Sequence, residues 1–280
     1  MESARYMESV KYIDNRYSDE INRSCYRFEK LEFKNALLDI DATYVLHLEN
    51  NGRIDSVKKQ LNEFQPTKNV FILYNKGYKK CNKEGYIDTP QLDIVDAYLY
   101  IFKDVQKKNY KNILVLEDDF IFNDKIKNKT IQKNIMNFIN NKNYDIYSLG
   151  MVPFLQKAYN NTTSICIIGG GAHSFIYSRE CINKILQEDK RKIEDWDMYL
   201  QNNFRRYIYI EPLCYQLQTE TENQKYWDPR YRAISLYIIK LLKLDVQGEP
   251  GYSTMYIVSR GLYGLCVILV VWLFITVFNI

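Results

Sequence analysis

The sequence is poor in the residues from which most protein zinc sites are made. It has two histidines and six cysteines in 280 residues, and no two of the cysteines form a CxxC pair. We therefore expect no zinc cluster, because such sites draw on closely spaced Cys and His ligands. The cysteines mostly lie within apolar runs, so we expect them to be reduced and to pack as small hydrophobic side chains.

The sequence also lacks a strong excess of either charge. It contains 38 Lys and Arg against 34 Asp and Glu, for a formal net charge of +4. No motif of a nucleic-acid-binding module is present, so we expect no nucleic-acid partner. The basic run KGYKKCNK around Lys79 suits a solvated loop, although it could also contact a polyanion. The amino terminus, MESARYMESVKY, has no apolar segment of the kind that a secretory signal needs.

One long apolar run is present at the other end of the chain. Residues 261–280 read GLYGLCVILVVWLFITVFNI and carry no charge. A helix of this length rises about 30 Å, so the run predicts a membrane-spanning tail anchor over residues 260–280, with a buried core helix as the alternative. Lys240, Lys243 and Arg260 precede the run, which predicts that the large domain is cytosolic. Residues 229–259 are predicted to be an amphipathic juxtamembrane segment that can lie on the membrane surface.

Strand and helix patterns alternate between the two ends. The segments ATYVLHLENN, NVFILYNK and NILVLEDD have the pattern of strands, and RIDSVKKQLNEF and PQLDIVDAYLYIFKDVQKKN have that of helices. This alternation predicts one Rossmann-like α/β domain with a mostly parallel sheet over residues 42–228. Residues 1–41, with helical spacing in YRFEKLEFKNALLDI, are predicted to form a helical amino-terminal extension.

Three consecutive carboxylates follow the strand NILVL, namely Glu117, Asp118 and Asp119. Like charges at the end of a buried strand repel one another unless something positive neutralises them. A divalent cation is a common solution at the carboxyl edge of an α/β sheet. The pattern therefore indicates a metal site, with a solvated acidic turn as an equally good interpretation at this point.

Five segments then resemble, in order, the motifs of family 25 glycosyltransferases, the group that includes lipooligosaccharide and collagen galactosyltransferases. They are YVLHLENNGRIDSVKKQL, VLEDDFIF, GGGAHSFIYSRECINKIL, EDWDMYL and EPLCYQLQTE. His47 stands where the family usually has Asn, and three glycines with His-Ser replace a Gly-Thr arrangement. The resemblance implies a GT-A-type fold that moves a hexose from a nucleotide sugar, in particular a UDP-sugar, to a glycan or protein acceptor with help from Mn²⁺ or Mg²⁺.

The resemblance also implies roles for individual residues. Asp119 would bind the metal together with Glu117, and Asp195 or Asp197 would act as general base, unless they only cap a helix. The residues implied in donor binding are His47, Glu49, Arg53, Glu117, Asp118, Gly170 and His173. The alternatives are a satisfied core histidine for His47, a surface arginine for Arg53 and a plain loop around Gly170.

The architecture has a second resemblance, to poxvirus tail-anchored envelope proteins that carry a glycosyltransferase-like domain. It implies a domain on the virion surface, anchored in the lipid bilayer through residues 261–280. In that alternative catalysis is weak or lost, and the domain binds glycans or glycosaminoglycan.

Overall fold

The computed structural model describes residues 25–217 and 229–278. Residues 1–24 of the predicted extension lie outside the described residues. The same holds for residues 218–228, which include the end of the EPLCYQLQTE segment.

The described chain contains nine strands. They are β1 (Tyr26–Glu32), β2 (Ala42–Leu48), β3 (Asn69–Asn75), β4 (Asn112–Glu117), β5 (Phe120–Phe122), β6 (Ile146–Ala158), β7 (Thr163–Ser178), β8 (Arg206–Tyr209) and β9 (Cys214–Gln216). Seven of them form one sheet in the order β1-β3-β2-β4-β7-β6-β8, and β5 pairs with β9 in a second, two-stranded sheet.

The described chain also contains seven α-helices. They are α1 (Ile54–Phe64), α2 (Pro90–Lys108), α3 (Lys129–Asn141), α4 (Arg179–Gln187), α5 (Trp196–Asn203), α6 (Pro229–Leu241) and α7 (Gly251–Phe278). Short polar side chains fix where several of them begin. Thr89 caps α2 by accepting a hydrogen bond from the Leu92 amide, and Ser178 caps α4 in the same way.

The centre of the large sheet is parallel, as the sequence predicts. Strand β2 pairs in parallel with β3 on one side and with β4 on the other. Strands β1 and β7 are antiparallel to their neighbours β3 and β4, so the sheet is mixed toward its edges. The fold is therefore a Rossmann-like α/β domain whose parallel strands all end at one edge.

Two hydrophobic clusters cover the two faces of this sheet. Helices α2, α4, α5 and the beginning of α7 contribute to one cluster, and α1 and α3 contribute to the other. Successive residues of β4 alternate between them, with Ile113 and Val115 on one face and Leu114 and Leu116 on the other. The strands are buried on both faces, which explains their nearly continuous apolar sequences.

The prediction of a helix in the segment that follows residue 25 is wrong. Tyr26–Glu32 forms β1, an edge strand paired with β3 along its whole length. Its side chains alternate irregularly between covered and exposed positions, as suits an edge strand with charged residues.

The prediction that all six cysteines are free is also wrong for one pair. Cys25 and Cys81 form a disulfide that joins the start of β1 to the loop after β3, across a sequence separation of 56 residues. Cys166, Cys181 and Cys214 are free and buried, as predicted.

We expect the loss of this disulfide to lower the free energy of unfolding by about 2–4 kcal/mol, because the open chain gains conformational entropy in the unfolded state. Urea unfolding of the wild type with and without dithiothreitol measures this loss. Cys81→Ser should reproduce it and should no longer respond to the reductant. A wild type that is equally stable in both conditions would contradict a stabilising bond.

Helix α7 begins ten residues before the apolar run at residue 261. Its first part is packed on the domain, with Tyr252, Met255, Tyr256 and Ser259 buried. From Gly261 onward the described residues are exposed or half-buried. The helix is long and apolar enough to cross a membrane.

Candidate functional site

A cleft of about 540 Å³ lies at the carboxyl edge of the parallel strands. Ligands of open α/β sheets bind at this edge, because the loops that follow the strands converge there. Six of the predicted site residues line the cleft, namely His47, Glu49, Arg53, Glu117, Asp118 and Asp119. The structure therefore brings together residues from the ends of β2 and β4 and from the start of α1.

Asp118 is buried and accepts hydrogen bonds from several donors. Its Oδ2 accepts from the Leu48 amide at 3.0 Å and from Asn51 Nδ2 at 2.6 Å, and it lies 2.9 Å from His47 Nδ1. Its Oδ1 accepts from Arg53 Nη1 at 2.9 Å. Burial alone would raise the pKa of this carboxyl, but the bonds to His47 and Arg53 outweigh it and the pKa is lowered. Asp118 is thus an ionised residue that ties the ends of β2 and β4 together, rather than a solvated one.

Arg53 is shared between two carboxylates of the triplet. Its Nη1 lies 2.9 Å from Asp118 Oδ1 and 3.3 Å from Asp119 Oδ2. The guanidinium thereby neutralises part of the negative charge at the end of β4. About a third of its side chain, 33 %, remains exposed, so it still faces solvent at the cleft.

Asp119 keeps one carboxylate oxygen without a partner. Its Oδ2 accepts a hydrogen bond from Gln216 Nε2 at 3.0 Å. Its Oδ1 is buried and has no hydrogen-bond partner in the structure. Burial raises the pKa of Asp119, although Gln216 and Arg53 oppose the shift. A buried carboxylate oxygen without a donor is costly, which makes this atom a natural ligand for a cation.

Glu117 lies among like charges. Tyr98 Oη lies 3.2 Å from Glu117 Oε1 and 3.1 Å from the Ala172 carbonyl oxygen, so these two acceptors share its single hydroxyl proton. Burial, followed by the carboxylates of Asp119 and Asp197, raises the pKa of Glu117 well above its ordinary value. A cation bound at this position would remove that repulsion.

Asp197 does not line the cleft, but its carboxylate interacts electrostatically with Glu117. Its Oδ2 accepts a hydrogen bond from the Gly171 amide at 3.0 Å, and its Oδ1 is buried without a partner. Burial raises its pKa, while the Gly171 amide opposes the shift. A Cβ atom on Gly170 would lie 3.6 Å from Asp197 Oδ2, so the glycine segment, residues 169–171, and this carboxylate are in close contact.

The neighbours of Asp197 in sequence have structural roles. Asp195 caps α5 by accepting a hydrogen bond from the Met198 amide at 2.9 Å, which is the capping alternative stated above. Trp196 is buried and stacks on Tyr98 with ring centroids 4.3 Å apart. Of the two predicted base candidates, Asp197 is the one coupled to the acidic residues of the cleft.

His173 is fully buried next to the glycine segment. Its Nε2 lies 3.4 Å from the Cys214 carbonyl oxygen, and its Nδ1 has no partner in the structure. Burial lowers the pKa of His173 to about 4. The ring is therefore neutral at pH 7, with one nitrogen free to accept a hydrogen bond.

We expect this buried histidine to make stability depend on pH. The unfolded state binds a proton below about pH 6.5 and the folded state only below about pH 4, so stability is full above pH 6.5 and falls as the pH drops toward 4. The loss amounts to about 3 kcal/mol for this group. Urea unfolding of the wild type and of His173→Asn at several pH values isolates it. Parallel pH profiles for the two proteins would contradict the expectation.

The metal prediction can be compared with the donor set at the cleft. Within the described residues, no three His, Cys, Asp or Glu side chains converge as a ready-made metal cage. Cations that serve nucleotide substrates commonly use one or two carboxylates and take their other ligands from phosphate and water. Asp119, with its unpartnered oxygen, and Glu117, with its raised pKa, fit that limited role.

A basic loop after β3 forms part of the rim of the cleft. Lys76, Lys79 and Lys80 are exposed and line it. The loop turns at Gly77, whose φ of +78° favours glycine, and the Lys80 amide donates to the Gly77 carbonyl oxygen at 3.1 Å. The disulfide at Cys81 fixes the end of this turn.

Several contributors to the site were not among the predicted site residues. Asn51 and Gln216 bind the two aspartates, and Tyr98 binds Glu117. Gln216 does lie in the EPLCYQLQTE segment, whose Pro-x-x-x-Gln spacing is a signal for it. Tyr98 lies among the buried residues in the middle of α2, where nothing in the local sequence distinguishes it from an ordinary core residue.

Comparisons with known proteins give low similarity. No protein-family model and no curated protein matches the chain. A glycosyltransferase involved in the glycosylation of the major capsid of PBCV-1 aligns over 64 % of this chain and 94 % of its own, with 11 % identity and a TM-score of 0.42. A protein from STIV aligns over 60 % and 80 %, with 16 % identity and a TM-score of 0.36. A Bacillus anthracis protein assigned as a glucose-1-phosphate thymidylyltransferase, in complex with sucrose, aligns over 76 % and 99 %, with 13 % identity and a TM-score of 0.36. Similarity at this level carries no functional argument, so the function rests on the geometry of the site.

Proposed function

We propose that the protein is a membrane-anchored glycosyltransferase that moves a hexose from a nucleotide sugar, in particular a UDP-sugar, to a glycan or protein acceptor. The observation that carries the proposal is the acidic group at the carboxyl edge of the parallel strands. There Asp119, a cleft-lining residue, keeps a buried carboxylate oxygen without a partner. The five segments that resemble family 25 glycosyltransferases support the same function.

Asp119 and Glu117 would hold a divalent cation, Mn²⁺ or Mg²⁺, since such ions need only one or two protein carboxylates when a phosphate substrate is present. Bound there, the cation would supply positive charge that neutralises the diphosphate. Arg53 keeps the neighbouring carboxylates in place, since it bonds to both Asp118 and Asp119. Its exposed portion is available to a phosphate oxygen.

The basic rim supplies further positive charge for the leaving diphosphate. Lys76, Lys79 and Lys80 line the same cleft as the acidic residues. Lysines bind phosphate as flexible point charges, so they suit a group whose charge grows during the reaction.

Asp197 would take the proton from the acceptor hydroxyl. Its unpartnered Oδ1 is able to accept a proton, and its raised pKa brings its basicity closer to neutral pH. The Gly171 amide holds the other carboxylate oxygen and so orients the group.

The rim lysines also favour a second candidate function. A cleft edged by Lys76, Lys79 and Lys80 suits an acidic glycan such as a glycosaminoglycan, bound without catalysis. In this alternative the acidic triplet is a structural element held by Arg53.

One experiment distinguishes the two functions. The full chain in detergent micelles is incubated with a panel of nucleotide sugars, with and without MnCl₂, and the release of nucleoside diphosphate is measured. Mn²⁺-dependent release from one donor supports the enzyme and identifies that donor. Folded protein that binds no nucleotide sugar but retains heparin contradicts the enzyme and supports the glycan-binding function.

A further inference from the structure

The first turns of α7 are part of the domain that carries the cleft. Tyr252 and Tyr256 are fully buried, and the Met151 amide donates a hydrogen bond to Tyr256 Oη at 3.3 Å. Gln156 Nε2 donates to Ser259 Oγ at 2.7 Å. The part of α7 that precedes the apolar run is therefore hydrogen-bonded to β6.

The same helix also holds the strand that carries Gln216. Tyr252 Oη donates a hydrogen bond to the Gln216 carbonyl oxygen at 2.7 Å and accepts one from the Gln216 amide at 3.2 Å. One residue earlier, Tyr215 Oη donates to Glu249 Oε1 at 2.8 Å, just before α7 begins. Strand β9 is only three residues long and Gln216 is its last residue, so these side chains fix an end that would otherwise fray.

Gln216 connects Tyr252 to Asp119. Its backbone pairs with Phe120, the residue after Asp119, and its side chain donates to Asp119 Oδ2 at 3.0 Å. Its Oε1 lies 3.6 Å from the position that a Cβ atom on Gly171 would occupy. A shift of Gln216 therefore moves a donor of Asp119 and disturbs the segment that binds Asp197.

We infer that Tyr252 is a positioning residue of the candidate active site and acts on Asp119 through Gln216. The helix with the apolar run is thus a component of the site as well as an anchor. The inference rests on the proposed function, because it assigns Tyr252 a role in positioning Asp119, the proposed metal ligand.

The chain offers a matched control for the test. Tyr252→Phe removes the hydroxyl that holds Gln216, and Tyr256→Phe removes an equally buried hydroxyl of the same helix that bonds to Met151 instead. Both variants are prepared as full chains in detergent micelles. Mn²⁺ binding is followed by electron paramagnetic resonance in the presence of UDP, and UDP binding by calorimetry.

We expect Tyr252→Phe to weaken Mn²⁺ binding roughly five- to tenfold relative to Tyr256→Phe, as the loss of one or two hydrogen bonds allows. The two variants should have similar thermal stability. Gln216→Ala should weaken binding by a similar factor and add little in combination with Tyr252→Phe, because both act through one contact. Equal Mn²⁺ affinity in the two phenylalanine variants overturns the inference.

Failure of the proposed function gives a different result. A wild type that binds neither Mn²⁺ nor UDP contradicts the enzyme, and hydrogen exchange of the amides at residues 214–217 then tests the positioning role. Faster exchange of the Gln216 amide in Tyr252→Phe than in Tyr256→Phe supports it. Equal exchange rates overturn it.

Discussion

Asp119→Asn is expected to lower the Mn²⁺-dependent turnover of the donor at least about 100-fold, the range in which loss of one electrostatic catalytic group usually falls. Asn has nearly the same shape as Asp, so the side chain still lies against Gln216. The substitution removes the negative charge that the unpartnered Oδ1 offers to a cation. Initial rates over a range of MnCl₂ concentrations measure the effect, and excess metal should restore only a small part of the activity.

A matched substitution separates this effect from a general change of charge. Asp124 is an exposed carboxylate that pairs with Lys127 on the surface. Asp124→Asn should therefore leave the turnover and its metal dependence unchanged. Full activity in Asp119→Asn, with an intact fold, would exclude Asp119 as the metal ligand.

A chain that ends at residue 250 is expected not to fold, whereas a chain that ends at residue 260 is expected to fold and to remain soluble. The shorter chain loses the buried side chains of Tyr252, Met255 and Tyr256. Each contributes about 1.5–3 kcal/mol of burial, and a typical domain is stable by only about 5–15 kcal/mol. The longer chain keeps these contacts and the bond from Arg260 Nη1 to the Ile210 carbonyl oxygen at 2.7 Å.

Circular dichroism and urea unfolding of the two truncated chains check this expectation. The longer chain should unfold in one cooperative transition, and the shorter one should show no such transition or should aggregate. A cooperative fold in the shorter chain, with unchanged stability, would mean that the start of α7 is not part of the domain.

The sequence predicts the central sheet well because its signals are local. Strands β2, β3 and β4 are apolar on both faces, and helices with regular apolar spacing separate them, so their parallel arrangement follows. The sequence does not predict the edge strand β1, because the charged and apolar residues of Tyr26–Glu32 fit both a helical and a strand periodicity. Its pairing with β3 decides between them, and that contact is far away in sequence.

The extent of α7 shows the same limit. The absence of charge predicts a membrane span over residues 261–280, but nothing local predicts that residues 251–260 belong to the same helix. Those residues are mostly polar or aromatic, and they are helical because they pack on β6 and β9.

The candidate site is predictable in its charges and less so in its contacts. The three consecutive carboxylates after β4 predict an acidic site at the sheet edge. The positions of His47 at the end of β2 and of Arg53 just after it predict that both lie at the same edge, where the structure has them. The distribution of roles among the carboxylates depends on partners far away in sequence. Asp118 is saturated by donors from residues 47–53, while Asp119 depends on Gln216. The pairing of Cys25 with Cys81 is equally nonlocal, so apolar context alone suggested free thiols.

The disulfide has a consequence for the cellular compartment in which the domain is expected to lie. Cytosolic thiols are kept reduced, whereas disulfides persist in oxidising spaces such as the endoplasmic reticulum lumen and the cell exterior. The basic residues before the apolar run instead predict a cytosolic domain. The redox state of the Cys25–Cys81 pair in the cell therefore tests that prediction. Alkylation of native membranes before lysis, followed by mass spectrometry of the two cysteine peptides, measures this redox state: a bonded pair contradicts a cytosolic domain, and two free thiols support it.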